Sequence, residues 1–236
     1  MTKKANILVI APHPDDAETR SAGSVARWVR EGKEVVYVVC TNGDKGTGDP
    51  AIRPEELVAI REKEQLAAAE ILGVREVIFL RYPDQELEDT PDFRREIVRL
   101  IRTYRPETIV TIDPYERYLS HRDHRLTGLV TLEAVAPAGL DIAAYSDLTA
   151  SGLKPHRVEE LLFCGFEGHD YRVDVTDTFD TKIAALKCHK SQVGDRPEFY
   201  YHMKERAKME AQNEDYELAE AFHCVEVDWE SITLNA

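Results

Sequence analysis

The sequence predicts an α/β fold: a mostly parallel, Rossmann-like sheet with helices on both faces. Three observations carry this. Short apolar, β-branched runs bounded by Pro or Gly recur along the chain, as buried strands do. Longer segments of helical periodicity stand between them, the alternation that builds a parallel sheet with right-handed crossovers. The residues able to do chemistry follow the strands, where ligands bind in such sheets. At 236 residues the chain exceeds the commonest domain size but fits one α/β domain. No linker, repeat or low-complexity tract divides it, so a single domain over 1–236 is expected.

The elements follow in order. Ile7 to Ala11 is the first strand, stopped at Pro12 and followed by His13-Pro14-Asp15-Asp16-Ala17-Glu18. Ala22 to Glu31 sets Val25, Trp28 and Val29 at helical spacing, with Gly32 as C-cap. Glu34 to Cys40 is the second strand. Thr41 to Pro50 is a loop dense in turn formers. Pro54 takes the permitted first turn of a helix that runs to about Leu72, with Leu57, Ile60, Leu66, Ala67 and Ile71 as its apolar side and Gly73 at its close. Glu76 to Leu80 is the third strand, and Arg81 to Leu87 the loop after it. Thr90-Pro91 opens a helix striped by Phe93, Ile97, Leu100 and Ile101, which Pro106 ends. Glu107 to Ile112, the fourth strand, leads through Asp113 to Ser120 into His121-Arg122-Asp123-His124 and a helix with Leu126, Leu129, Val130 and Leu132. Pro137 to Pro155 lacks periodicity and reads as a loop over the site or a contact between subunits. Glu160 to Gly165 and Tyr171 to Val175 are strands, Phe179 to Cys188 and Glu198 to Asn213 helices, and Phe222 to Val227 a last edge strand.

Composition bounds the function. Apolar residues make up 43% and charged residues 31%, as in a soluble globular protein. A net charge of −14 argues against a nucleic-acid-binding surface. No apolar run approaches the roughly 20 residues that span a bilayer. The N-terminal apolar stretch is short and runs straight into His-Pro-Asp-Asp without a cleavage-like end, so it reads as the first strand of a cytoplasmic protein. Cys40, Cys164, Cys188 and Cys224 are widely spaced and read as core thiols. No Gly-x-Gly-x-x-Gly follows the first strand, which argues against NAD.

His13 and Asp16 supply a neutral nitrogen and an anionic oxygen, a pair that zinc accepts. A catalytic zinc keeps three protein ligands and an open position, and the second His/Asp cluster, just past another strand, is the best source of the third. Asp15 lies between the two and points elsewhere, free to hold a water proton. Asp15 or Asp16 alone would also serve as a helix cap. Capping explains neither the His-Pro before the carboxylates nor the second cluster.

The two clusters together resemble the PIG-L/LmbE-like family of zinc-dependent N-deacetylases. Weaker agreement lies at Gly43-Asp44-Lys45-Gly46, Pro83-Asp84 and His189-Lys190-Ser191-Gln192. The resemblance implies an LmbE-like fold over most of the chain. It implies a hydrolase that removes acetyl from N-acetylglucosamine-containing small molecules, the mycothiol and bacillithiol precursors among them. It implies one zinc per subunit held by His13, Asp16 and His124, with iron, cobalt or manganese as other occupants. Asp15 is then the general base for a water whose pKa zinc lowers to about 7. His121, if protonated, stabilises the oxyanion, a role worth about 3–4 kcal/mol. Asp123 holds the His121 imidazole, and Asp84 accepts a sugar hydroxyl. Arg53 and Arg61 are candidates to grip the substrate, with a solvated surface arginine as the default for each. His189 is a candidate pocket residue, and Glu18 a helix N-terminal carboxylate. Homo-oligomers, trimers or hexamers, belong to the family. One departure is Leu119, where some relatives carry an oxyanion-binding tyrosine; the role then falls more heavily on zinc and His121, or on a further group that the sequence does not identify. Two other readings compete. A metal-dependent phosphoesterase would want more carboxylates for two metals, and a non-catalytic zinc-containing sugar-binding protein would not need Asp15.

Overall fold

The apolar runs become strands covered on both faces. These are β1 (Ile7–Ala11), β2 (Val35–Thr41), β3 (Glu76–Tyr82), β4 (Thr108–Ile112), β5 (Glu160–Cys164), β6 (Tyr171–Asp174) and β7 (Ala219–Glu226). The helices are α1 (Asp16–Arg30), α2 (Pro54–Leu72), α3 (Pro91–Tyr104), α4 (Arg122–Leu140), α5 (Ser146–Ala150), α6 (Phe179–Leu186), α7 (Pro197–Glu210) and α8 (Trp229–Leu234). The computed structural model describes residues 3–118, 121–165, 167–194 and 196–234. Among them seven strands form one sheet in the order β3-β2-β1-β4-β5-β7-β6. β1 to β5 are parallel, while β7 runs antiparallel to both β5 and β6.

Successive side chains of a strand point to opposite faces, and the core divides accordingly. Ile7, Val9 and Ala11 of β1 join Val25 and Trp28 of α1, Leu72 of α2 and Phe179 of α6. Leu8 and Ile10 join Phe93, Ile97 and Ile101 of α3 and Val130 and Ala134 of α4. The strand order reverses direction between β1 and β4. That is the switch point where a crevice opens outside the carboxyl ends of the strands.

Several expectations are corrected. α1 starts at Asp16, six residues before the apolar stripe suggested. Asp16 and Glu18 sit in its first turn, where negative charge suits the helix dipole. On α2 the buried side is Leu57, Arg61, Gln65, Ala68, Ala69 and Leu72, whereas Ile60, Leu66 and Ile71 are exposed. The helix is turned so that two polar side chains face inward. The last strand is not at an edge: β7 lies between β5 and β6, and the four-residue β6 is the edge.

The segment from Pro137 to Pro155 is not a loop over the site. α4 continues through Pro137 to Leu140, α5 follows, and Leu148 enters the core beside α3. This is the far end of a 19-residue helix, about 28 Å from its N-terminus at 1.5 Å per residue. Buried Arg102 of α3 satisfies that end, donating to the carbonyls of Pro137 (3.0 Å), Ala138 (3.2 Å) and Asp141. Among the described residues no helix is long and apolar enough to cross a membrane.

Candidate metal centre and active site

The site is built from two corners. At the first, β1 ends, Pro12 accepts a bond from the Thr41 amide at 2.8 Å, and His13 follows. Asp15 then takes φ 101°, a left-handed conformation that side chains other than glycine rarely adopt, and α1 begins. Asp15 occupies the N-cap position but makes no side-chain cap bond. Its carboxyl is therefore not absorbed by capping. At the second corner, β4 leads to His121, the N-cap of α4, whose Nδ1 accepts the Asp123 amide at 3.2 Å.

The two corners meet at Asp16. Its Oδ2 lies 3.0 Å from His13 Nδ1 and 3.2 Å from His124 Nε2, and it also accepts the His13 amide at 3.1 Å. The rings of His13, His121 and His124 stand 4.8 to 5.3 Å apart, centroid to centroid. On the other side of its ring, His13 Nε2 meets Asp84 Oδ1 at 2.9 Å and Asp123 Oδ2 at 3.2 Å. His13, His121 and His124 form one group with ligand atoms close enough to hold a metal ion, and His13, Asp84 and Asp123 form another. An imidazole turned to a metal position by one nitrogen and held by a carboxylate at the other is the usual arrangement of a metal-binding histidine.

The electrostatics follow from burial and crowding. Burial disfavours charge on His13, yet bonds to Asp123, Asp16 and Asp84 outweigh it and raise its pKa to about 11. Burial likewise opposes charge on Asp16, but His124 and His13 hold it well below the usual carboxylate range. Asp15 is raised to about 7 by burial and the Asp16 charge, against Arg61, His189 and His13. Its side chain remains 19% exposed, enough to meet a water. His121 is pushed down by burial and then by the charges of His13 and His124.

The remaining expected residues are placed as follows. Asp84 is buried with Oδ1 on His13, its amide on Asp44 and its carbonyl on Lys45. Asp123 is fully buried and turns Oδ2 to His13 and to the Gln85 amide (2.6 Å), while its own amide serves His121. Arg61 is not a surface arginine. It is 3% exposed and donates to the carbonyls of Pro14 (2.6 Å) and Gly43 (3.1 Å), with Asp15 Oδ2 at 3.4 Å. A Cβ at Gly43 would lie 2.4 Å from its Nη1, so glycine makes room for the guanidinium. Arg53 is not brought into this cluster; exposed at the start of α2, it binds Glu56 of its own helix. Leu119 lies outside the described residues. His189 is buried, 3.2 Å from Glu18. Sequence reasoning missed Gln65, which accepts the Asp15 amide at 3.0 Å. The signal was present: Arg61 and Gln65 stand four apart on α2 and share a face. A separate cavity of about 320 Å³, lined by Arg20, Phe179, Phe199, Met203 and Arg206, lies further along α1 and is not this centre.

The mostly parallel sheet flanked by helices, with histidines and carboxylates gathered at two neighbouring strand ends, is similar in fold and sequence to known deacetylases. The family model described as PIG-L, GlcNAc-PI de-N-acetylase, matches residues 8–135. The chain is 39% identical over 186 residues to a diacetylchitobiose deacetylase of Thermococcus kodakarensis, a match covering 79% of this chain and 69% of that protein. It is 34% identical over 204 residues to a probable N-acetyl-α-D-glucosaminyl L-malate deacetylase 2 of Bacillus anthracis, covering 81% and 83%. The N,N'-diacetylchitobiose deacetylase from Pyrococcus horikoshii, solved with its inhibitor, superposes with a TM-score of 0.87 at 29% identity, covering 94% of this chain and 84% of that one. The chain belongs to the PIG-L family.

Proposed function

We propose that the protein is a metal-dependent deacetylase that hydrolyses the acetamide of an N-acetylglucosamine-containing small molecule. The observation that carries this is the convergence of His13 Nδ1, Asp16 Oδ2 and His124 Nε2 beside a carboxyl, Asp15, that none of them engages. The donor set fits a divalent metal. Three carboxylates crowd one imidazole, an excess of negative charge that a cation offsets, and two imidazole nitrogens with one carboxylate oxygen suit zinc. Held by His13, Asp16 and His124, a zinc ion would supply Lewis-acid polarisation of the acetyl oxygen and a more acidic water.

Each nearby residue then has a task. Asp15 accepts the proton of the attacking water and returns it to the departing amine; burial raises the pKa of its carboxyl, a direction that favours taking up a proton. Asp84 and Asp123 hold the His13 ring so that Nδ1 faces Asp16. His121 accepts the Asp123 amide on Nδ1, so the proton of its neutral form sits on Nε2. It can donate that proton to the developing oxyanion without being an imidazolium, which suits its lowered pKa. The relatives' names share N-acetylglucosamine units, and we take that unit as the part recognised. By family resemblance, rather than from the site, we further propose a cytoplasmic location and assembly as a homo-oligomer, trimer or hexamer.

Elemental analysis paired with amine release from N-acetylglucosamine and diacetylchitobiose tests this. About one metal per chain is expected. Asp15→Asn, a change compatible with positive φ, keeps the metal and lowers release about 10²–10⁴-fold. Full activity in that variant, or no release by the metal-loaded native chain, overturns the reading.

A further inference from the structure

The peptide plane ahead of Asp15 is gripped at both ends. Its carbonyl, on Pro14, accepts Arg61 Nη2 at 2.6 Å. Its N–H, on Asp15, donates to Gln65 Oε1 at 3.0 Å. Both grips come from one face of α2, a helical turn apart. This grip holds the chain on the N-terminal side of the Asp15 N–Cα bond, and α1, whose Thr19 amide donates to the Asp15 carbonyl at 2.9 Å, holds it on the other; together they set the φ of Asp15 and so the direction in which its carboxyl leaves the backbone. At φ 101° the local backbone does not choose this geometry by itself; the surroundings must impose it.

A glutamine side chain is ambiguous as a grip. Turned over, it would present NH₂ to the Asp15 N–H, donor against donor. Here a third group removes the ambiguity. Gln65 Nε2 donates to Glu18 Oε1 at 2.8 Å, and a carboxylate only accepts. The amide nitrogen therefore faces Glu18 and the oxygen faces Asp15. The other oxygen of Glu18 lies 3.2 Å from His189 Nε2. Gln65 and Glu18 are fully buried, so water cannot take over the bond between them, and His189, also fully buried, stands against Glu18 at ion-pair distance.

We propose that Gln65, oriented by Glu18 and His189, is a positioning residue that sets the peptide plane ahead of Asp15 and so aims the carboxyl at the attacking water. This rests on the deacetylase reading for the task of Asp15, but not for the geometry. The chain joins residues from α1, from α2 and from the turn after α6. It assigns work to Glu18 and His189, neither of which touches the reacting atoms.

Three variants of the metal-loaded protein test it. Gln65→Leu removes the acceptor. Gln65→Glu keeps an acceptor but sets two carboxylates against each other. The swap Glu18→Gln with Gln65→Glu restores one donor between the two positions and an acceptor toward Asp15. The two single variants are expected to keep the native metal content and a KM within about twofold, while kcat falls about 10–100-fold, the scale of a small misplacement of a reacting group. The swap should recover kcat to within about threefold. In the Asp15→Asn background, Gln65→Leu should cost nothing further, because it acts through Asp15. A merely structural role would instead lower melting temperature and metal content, leave the swap uncorrected, and add its loss to that of Asp15→Asn; that pattern overturns the proposal. Should Gln65→Leu fail to fold, Gln65→Glu and the swap decide between the two. A crystal structure of Gln65→Leu or Gln65→Glu separates this proposal from the deacetylase reading. Asp15 is expected to leave its positive φ, and an unchanged Asp15 overturns the proposal even where the native chain releases no amine.

Discussion

The two corners that meet at Asp16 are built on opposite plans. Between β1 and α1 the chain has four residues, 12–15, mostly buried and clamped from α2 by Arg61 and Gln65. Between β4 and α4 it has nine, 113–121, among which Tyr115 is 71% and Tyr118 90% exposed. The short corner carries the general-base candidate, whose position must hold to within a fraction of an ångström. The long corner carries His121 and exposes Tyr115 and Tyr118 to solvent. The two corners thus differ in stiffness: one is clamped from α2 and the other exposes its tyrosines.

The largest effect expected erases the difference between the corners. His13→Ala in the short one and His124→Ala in the first turn of α4, just past the long one, should each lose the metal on dialysis, read by elemental analysis. Retention in either would show that its corner does not carry a ligand. A smaller effect probes support for one ligand. Asp84→Asn takes a carboxylate from His13 Nε2 and should weaken metal affinity about 10–100-fold in a chelator competition. Affinity unchanged would mean that Asp123 alone holds the ring.

The smallest effect sharpens the contrast in stiffness. Gly43→Ala forces a Cβ against buried Arg61 at φ +63° and should cost about 1–3 kcal/mol in urea unfolding. Tyr118→Ala, on the open corner, should stay within about 0.5 kcal/mol. Equal costs would remove the distinction drawn here.

The sequence made the parallel strands legible because β1 and β2 are apolar on both faces, and it located both His/Asp clusters because each directly follows such a run or its loop. What stayed hidden had no local signature. A positive φ at Asp15 is a tertiary imposition on an ordinary residue, so the true start of α1 was obscured. The inward side of α2 includes Arg61 and Gln65, whose burial makes sense only once their backbone partners on the Pro14–Asp15 peptide and Gly43 are in place. The insertion of β7 inside the sheet depends on pairing with β5, distant in sequence. The carboxylate of Asp123, expected on His121, meets His13 because the Asp123 backbone amide occupies His121 Nδ1.

Arg102 bears on how this chain tolerates change. Its guanidinium holds the main-chain carbonyls of Pro137, Ala138 and Asp141, and it also meets the Thr149 hydroxyl at 3.4 Å and lies over the Tyr145 ring. A side-chain partner can be replaced together with the residue that binds it, so two positions can drift as a pair. Main-chain oxygens are present whatever residues stand there. No substitution at 137, 138 or 141 can therefore supply what these carbonyls lose with the arginine, and a lysine, with one compact ammonium, does not offer the same planar fork to several acceptors. Position 102 is thus tied to the course of the backbone at the end of α4 more than to the side chains carried there.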